Sequence, residues 1–496
     1  MDLEAAAPHI VSRRTILLGA IGLTSASLLA ACGGGQAAAT ATGTPAAPTS
    51  GSPAASPTTT AAPAVASAAP TVAAFGGATP VPSGATNTEY KPPAVPNAES
   101  ARAFGNQGFT YYGDSVGLGA ELDAALARQF TADTGIAVNV VPKPQSATET
   151  YSAYQRYFQA RSADVDVMMV DVIWPGSFAS HLADLNEKMS AEAKLHYPGI
   201  IENNTIGGKL VALPWFGDFG MLFYRTDLLQ AAGISAPPRT WDELQQQAAQ
   251  VVESQKASNA SLVGFVFQGN AYEGVTCNAL EWLASSGAGR IIEDGRVTLN
   301  NPQTVAMLNR AKGWIGSIAP RGVTSYQEED ARIAFQSGNA VFMRNWPYAY
   351  AAGNTDDSPI KGKFDVAPLP AEAGQKSAGT VGGWQLAVSA YSTSQDAAME
   401  FVRYLCSPQV QSWRSVVGSF VPTIPWVAED AAVVAAMPFL KNLASVERIT
   451  RPSATTWERY SEVSSAFFQG VNQILNGQDA ASILPQTAER IERITA

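Results

Sequence analysis

Cysteine, histidine and charge are all scarce in this sequence. Three Cys among 496 residues exclude a disulfide scaffold and the usual four-thiolate zinc sites. Three His leave too few ligands for a histidine-built catalytic metal centre. Charged residues make up only 15 %, against about 25 % in an average soluble domain. Their balance is −10, which disfavours nucleic acid, because phosphate contacts need a basic patch or stripe. Only one long apolar run exists, so a multi-span membrane protein is excluded. No P-loop occurs, and Gly117-Leu118-Gly119 lacks the third glycine of a dinucleotide fingerprint, so no nucleotide cofactor is expected; no metal cluster is expected either. What is present is length for two to four domains and 46 % hydrophobic residues, enough for a full core.

The charge deficit has a local cause. From Gly33 to Thr88 there is no charged residue, only a run dominated by Ala, Thr, Pro, Ser and Gly. Such a stretch has no periodic apolar face and cannot offset its ordering entropy by burial, so 32–107 reads as a disordered tether. Ahead of it, Arg13-Arg14 precedes an apolar run from Ile16 to Ala31 that is short and rich in small residues. It reads as an export signal over 1–31 rather than a spanning helix. The run ends in Leu29-Ala30-Ala31-Cys32, which resembles the lipobox of bacterial lipoproteins; the arginine pair resembles a twin-arginine signal. The expectation is a lipid on Cys32, attachment to the membrane through it, and an extracytoplasmic location.

Beyond the tether the pattern is α/β. Phe109–Tyr112, Ile136–Val141 and Val165–Val170 read as strands, with helices over Glu121–Thr134 and Tyr151–Ala160 between them. Leu122, Ala125, Leu126 and Phe130 share one helical face, and Gly135 ends that helix. The alternation resumes with strands at Met221–Tyr224, Leu262–Phe267, Ala340–Met343, Phe364–Leu369 and Gln385–Ser389. Thr240-Trp241-Asp242-Glu243 has the spacing of a capping box. Helical patterns at 278–286, 302–318, 395–406, 408–417, 460–475 and 480–495 complete the chain. No fixed-period repeat is visible, which favours two α/β units over one barrel.

Enzyme motifs are few. Gly113-Asp114-Ser115-Val116-Gly117 matches G-x-S-x-G between a strand and a helix, but no His follows residue 196 to complete a triad, so the glycines read as a tight turn. A glycosidase-type carboxylate pair, such as Asp171 and Asp218, remains the enzyme alternative. The ten Trp point elsewhere. Trp174, Trp215, Trp346 and Trp384 stand beside Gly, Pro, Asp or Asn next to predicted strands, where ligands bind in open α/β sheets. Indole rings beside carboxylates suit a sugar, whose C–H faces lie on the ring while its hydroxyls donate to the acid.

The lipobox, the tether and the segments Asp171–Gly176, Pro214–Arg225, Gln268–Trp282, Asn345–Tyr350 and Gly382–Ser389 resemble the sugar-binding lipoproteins that feed ABC importers, in particular the trehalose/maltose-binding branch. The resemblance runs from about Phe109 to the C-terminus. It implies a two-lobed periplasmic-binding-protein-like α/β fold of type II, closing on a di- or oligosaccharide and delivering it to a transmembrane permease pair, without catalysis and as a monomer. Crossings near Gly217, Ala340 and Gly382 would give a first lobe of 108–216 plus 340–382 and a second of 217–339 plus 383–496. By the same resemblance Asp171 and Asp218 bind sugar hydroxyls, Trp346 and Trp384 stack on rings, and Tyr348 lines the site. Gly383 offers a backbone contact, Glu121 is an acid of the first lobe, and Arg451 reaches in from the second. Phe216 stands where this branch often carries Tyr, so one hydroxyl contact is missing. A receptor of the same fold for a polyamine or a peptide is the other alternative, separable by ligand class. Cys277 and Cys406, the thiols left after lipidation, are open to pairing or to separate burial.

Overall fold

The computed structural model describes residues 90–496. The expected signal at 1–31, Cys32 and the tether up to residue 89 lie outside the described residues. Residues 90–107, expected within the tether, are instead folded onto the body. Ala98–Arg102 is helical, Ala101 is buried, Tyr90 meets Trp413 edge-on at 6.4 Å, and the Tyr404 hydroxyl donates to the Pro93 carbonyl. Single apolar side chains such as Tyr90 and Val95 serve as anchors there without any periodic pattern.

Along the chain come β1 (Gly108–Gly113), α1 (Gly119–Thr134), β2 (Ala137–Pro142), α2 (Ala147–Ala160), β3 (Val167–Asp171) and β4 (Leu213–Phe219). Then follow β5 (Met221–Arg225), α3 (Trp241–Gln255), β6 (Val263–Val266), α4 (Glu273–Ser285), α5 (Pro302–Trp314), α6 (Glu328–Gln336), β7 (Ala340–Asn345) and β8 (Phe364–Ala367). The last part holds β9 (Ala378–Val388), α7 (Gln395–Leu405), α8 (Pro408–Gly418), β10 (Glu447–Ile449), α9 (Tyr460–Leu475) and α10 (Ala480–Thr495). The capping box on α3 is formed: Thr240 accepts from the Glu243 N–H, and Glu243 accepts from the Thr240 N–H.

Two sheets organise these elements. The first has the order β10-β9-β3-β1-β2, with β1 parallel to β2 and β3, β9 antiparallel to β3, and β4 antiparallel to β9. The second has the order β8-β5-β7-β6. On the first sheet, Leu122, Leu126 and Phe130 of α1 meet Phe401 and Tyr404 of α7, with Phe130 and Phe401 rings 5.0 Å apart. Tyr154, Phe158 and Phe178 cover another core region, together with Trp174. The second lobe is built around Trp241, Trp282 and Trp314 with Phe265 and Phe267, all buried. Burying an aromatic side chain of this kind contributes roughly 1.5–3 kcal/mol.

The sheets divide the chain differently from the expected lobe boundaries. β7 lies inside the second sheet, antiparallel to β5 and parallel to β6, so residues 340–345 belong to the second lobe and Ala340 is no crossing. β8 pairs with β5 there too. Conversely α7 and α8, expected in the second lobe, pack on the first: Phe401 touches Phe109, Tyr111 and Phe130. The chain crosses at the β4–β5 junction, within β9, and after α8, where Phe420 packs in the first core and Ile424 in the second. Cys277 lies in α4 of the second lobe and Cys406 in the first-lobe core, and both are free thiols. No helix among the described residues is long and apolar enough to cross a membrane.

Candidate binding site between the two lobes

The parallel strands β1, β2 and β3 end on the same edge of the first sheet. Asp114, Lys143 and Asp171 stand at those three ends, the position at which open α/β sheets bind ligands. Asp114 turns back into the protein: its Oδ1 accepts from the Ser115 N–H at 2.8 Å, and Oδ2 meets Arg414 at 3.1 Å. Lys143 and Asp171 face a cavity of about 60 Å³. Asp218, Phe216, Trp346, Tyr348, Gly383, Trp384 and Arg451 line the same cavity, with Glu273, Cys277 and Glu328. A groove of about 490 Å³ between α2 and α9–α10 shares Ala147 and Glu273 with it.

Eight of the nine residues expected in the site are therefore brought together. The ninth is not. Glu121 is exposed on the first turn of α1, outside the cavity. An acid in that first turn complements the helix dipole, and this gives Glu121 a role without a ligand. Trp215, one of the four loop-borne indoles, is a fully buried core residue under the Arg414 guanidinium. β4 runs through that loop as a strand, which carries Trp215 inwards.

Asp171 closes β3 opposite Trp384 of β9. Both its oxygens accept from Arg451, at 2.7 and 3.2 Å, in the bidentate geometry that suits a guanidinium. Arg451 Nη1 also donates to Glu273 at the start of α4, at 3.0 Å. Glu273 in turn accepts from the Tyr460 and Ser464 hydroxyls, and its backbone N–H donates to the Thr148 hydroxyl of α2. Arg451 thus joins an acid of the first lobe to an acid of the second. Asp218 is set differently. Its Oδ1 is buried with no partner among the described residues. Burial first, then the charge of Asp114, holds its carboxyl well above the usual carboxylate range.

The aromatic side chains are fixed from behind. Trp346 carries the Arg344 guanidinium over its ring at 3.8 Å and points its indole N–H towards Glu328 at 3.4 Å. Glu328 also accepts from the Tyr272 hydroxyl, and burial pushes its carboxyl up. Tyr348 donates to Glu329 at 2.8 Å. Trp384 meets Trp174 edge-on at 5.4 Å, and Lys143 Nζ sits 4.1 Å from its ring centre. Phe216 packs on Phe420, with Arg414 over both rings. Gly383 has φ 110°, and a Cβ there would come within 2.4 Å of the Phe216 carbonyl, so only glycine fits. Its carbonyl accepts from the Val172 N–H.

The sequence reading missed Lys143, Glu273, Cys277 and Glu328 as lining residues. Lys143 had a signal, a charged residue between two prolines at a strand end. Glu273 lay inside the string that carried the resemblance. Glu328 sits in an acidic run that resembles any solvated helix start. Among the described residues no group of three or more His, Cys, Asp or Glu could hold a metal ion.

The arrangement offers hydroxyl acceptors, fixed donors and ring faces at the junction of two lobes. Residues 112–412 match the family model described as bacterial extracellular solute-binding protein. A probable ABC transporter-binding protein of Deinococcus radiodurans is 46 % identical over 384 residues, 77 % of this chain and 91 % of the relative. The maltose-bound structure of T. maritima MalE3 is 36 % identical, with a TM-score of 0.74 over 78 % of this chain and all of that one. An ABC transporter solute-binding protein of Thermotoga lettingae, bound with alpha-D-tagatose, has the same fold at 22 % identity, with a TM-score of 0.71 over 79 % of this chain and all of that one. With its two lobes, its cleft and these matches, the chain belongs to the bacterial extracellular solute-binding proteins.

Proposed function

We propose that the protein is the substrate-binding component of an ABC importer for a neutral di- or oligosaccharide of the maltose or trehalose kind. It clamps the sugar between its lobes and presents it to a transmembrane permease pair. The observation that carries this reading is the alternation of carboxylates and indoles around one cavity, Asp171 and Asp218 against Trp346 and Trp384. The maltose in the T. maritima relative fits the same chemistry. A cavity of about 60 Å³ is far below the roughly 300–1,000 Å³ of small-molecule sites, so a sugar enters only when the lobes part. A ligand that touches both lobes then selects the closed arrangement. The mature chain works as a monomer outside the cytoplasm, held by a lipid on Cys32.

A carboxylate-pair hydrolase is less well served. Asp171 would have to act as nucleophile or base while the Arg451 guanidinium holds both its oxygens in a bidentate ion pair. Thermal unfolding of the mature chain with maltose, trehalose, sugar alcohols, polyamines and peptides tests the reading. A ligand at about 100 times its Kd stabilises by about 2.7 kcal/mol. A rise with an intact sugar supports the receptor; a rise only with polyamines or peptides, or a sugar returned cleaved, refutes it. Loss of membrane attachment in Cys32→Ala cells, seen by fractionation, tests the anchor.

A further inference from the structure

We infer that Lys143 is a specificity-determining residue of the cleft: its ammonium leaves the face of Trp384 and donates to sugar hydroxyl oxygens, while the sugar ring takes its place on the indole. This deepens the sugar-receptor reading and rests on it.

The base of the side chain is rigid. Lys143 follows β2 between Pro142 and Pro144, and its backbone N–H donates to the Gly113 carbonyl at 3.0 Å. The residue is only 4 % exposed, yet it lines the cavity. Its Nζ lies over the Trp384 ring at 4.1 Å, and no side-chain or backbone oxygen among the described residues accepts from it. An ammonium carries three donors, and none of them is used by an oxygen of the described residues, so they are open to whatever fills the cavity. The other cations nearby are committed. Arg451 donates to Asp171 and Glu273, and Arg344 to Glu281 and Gln268. Asp218, which lines the same cavity, has a buried oxygen with no partner among the described residues. The cleft thus holds a spare donor and a spare acceptor, the pair that a hydroxyl group, donor and acceptor at once, satisfies.

The geometry around Trp384 shows why Lys143 moves. Trp174 packs against this indole edge-on at 5.4 Å, and Lys143 covers a face of the ring. A sugar that stacks on this face displaces the ammonium, and the pinned backbone keeps it beside the ligand. Burial pulls its pKa down, and Asp114, Glu328, Asp171 and Asp123 oppose that shift through space. Asp171 and Glu273 share the single charge of Arg451, so the Lys143 ammonium is already balanced and no surplus cation awaits an anionic ligand. Lys143 therefore reads hydroxyl oxygens of a neutral sugar. Because a site built to hydrogen-bond a hydroxyl rejects the analogue that lacks it, Lys143 discriminates at one position of the sugar.

Calorimetry on the purified full chain tests this, with maltose, trehalose and mannitol as probes and the monodeoxy analogues of whichever binds. Lys143→Met keeps the apolar stem and removes the donors; Lys143→Gln restores a neutral donor. We expect the Met variant to bind roughly 10- to 100-fold more weakly, with partial recovery in Gln. We also expect the wild type to lose about tenfold or more for one deoxy position and Lys143→Met to bind that analogue and its parent alike. The variants should unfold near the wild-type temperature, since the ammonium makes no hydrogen bond among the described residues that its removal would break. Affinity of Lys143→Met within twofold of wild type, or an equal loss for every analogue, overturns the inference while leaving the receptor intact. No binding of any probe to the wild type overturns the sugar reading and this inference together.

Discussion

At the scale of single residues, the cleft is defined by which polar groups are already occupied. Asp171 gives a sugar hydroxyl a place only by sharing oxygens with Arg451, whereas Asp218 has one to spare. Trp384 supplies ring area rather than charge. Trp384→Ala should weaken sugar binding by roughly 1–3 kcal/mol, the worth of aromatic and cation–π contacts together. Unchanged affinity by calorimetry would remove the ring from the site. Behind the cleft, Asp123 is buried against Tyr111, Asp114 and Arg414. Burial is the main reason its carboxyl is pushed up from 3.8 to about 6. The folded chain therefore keeps a proton that the unfolded chain releases between these values, and this group's contribution makes stability fall as pH rises through that window. Asp123→Asn keeps an acceptor for the Tyr111 hydroxyl and removes the ionisation. Its urea midpoint should fall less than that of the wild type between about pH 4 and pH 6; parallel curves would count against the assignment. Asp171, Asp218, Trp346 and Trp384 were legible because the segments that carry them resemble the sugar-binding family and put acids or indoles next to strands. Lys143 and Glu328 were not, since a lone lysine or an acidic run looks the same on a surface as in a cleft.

At the scale of elements, β9 is the piece on which the site depends. Its C-terminal half pairs with β3 in the first sheet, while Thr380 in its N-terminal half donates to the Cys277 carbonyl and the Glu281 carboxylate of α4. The site's Gly383 and Trp384 lie where the strand passes from one lobe to the other. Gly383→Ala places a Cβ against the Phe216 carbonyl at a φ that favours glycine. We expect a loss of about 1–3 kcal/mol in stability, measured by urea unfolding, together with weakened sugar binding. A wild-type midpoint would show that β4 and β9 tolerate separation. The pattern of 385–389 revealed only the C-terminal end of this eleven-residue strand, because its other half, Ala378–Gly383, is mostly buried and half of it is Gly, which gives no alternation of polarity. The helices were easier: α9 and α10 were read at their observed bounds from apolar spacing alone. The start of α4 was missed by five residues, since Glu273 to Cys277 are all buried and show no alternation of polarity.

At the scale of the whole molecule, Arg451 ties the lobes through Asp171 on one side and Glu273 on the other. Arg451→Met removes both ties and leaves two buried acids unpaired, a change that costs about 3–5 kcal/mol where a buried pair is broken. Small-angle scattering of the ligand-free variant should show a larger radius of gyration than wild type, with weaker sugar binding; an unchanged radius would mean that other contacts hold the lobes closed. The local chain determined the α/β alternation, most helix and strand positions and the residue types of the cleft, because periodicity, caps and composition act over a few residues. It did not determine which lobe each segment joins. Only tertiary pairing put β7 between β5 and β6, α7 against β1, and Glu121 outside the cavity. Those choices rest on contacts between residues far apart in the chain, and nothing in the short-range pattern of polar and apolar side chains records them.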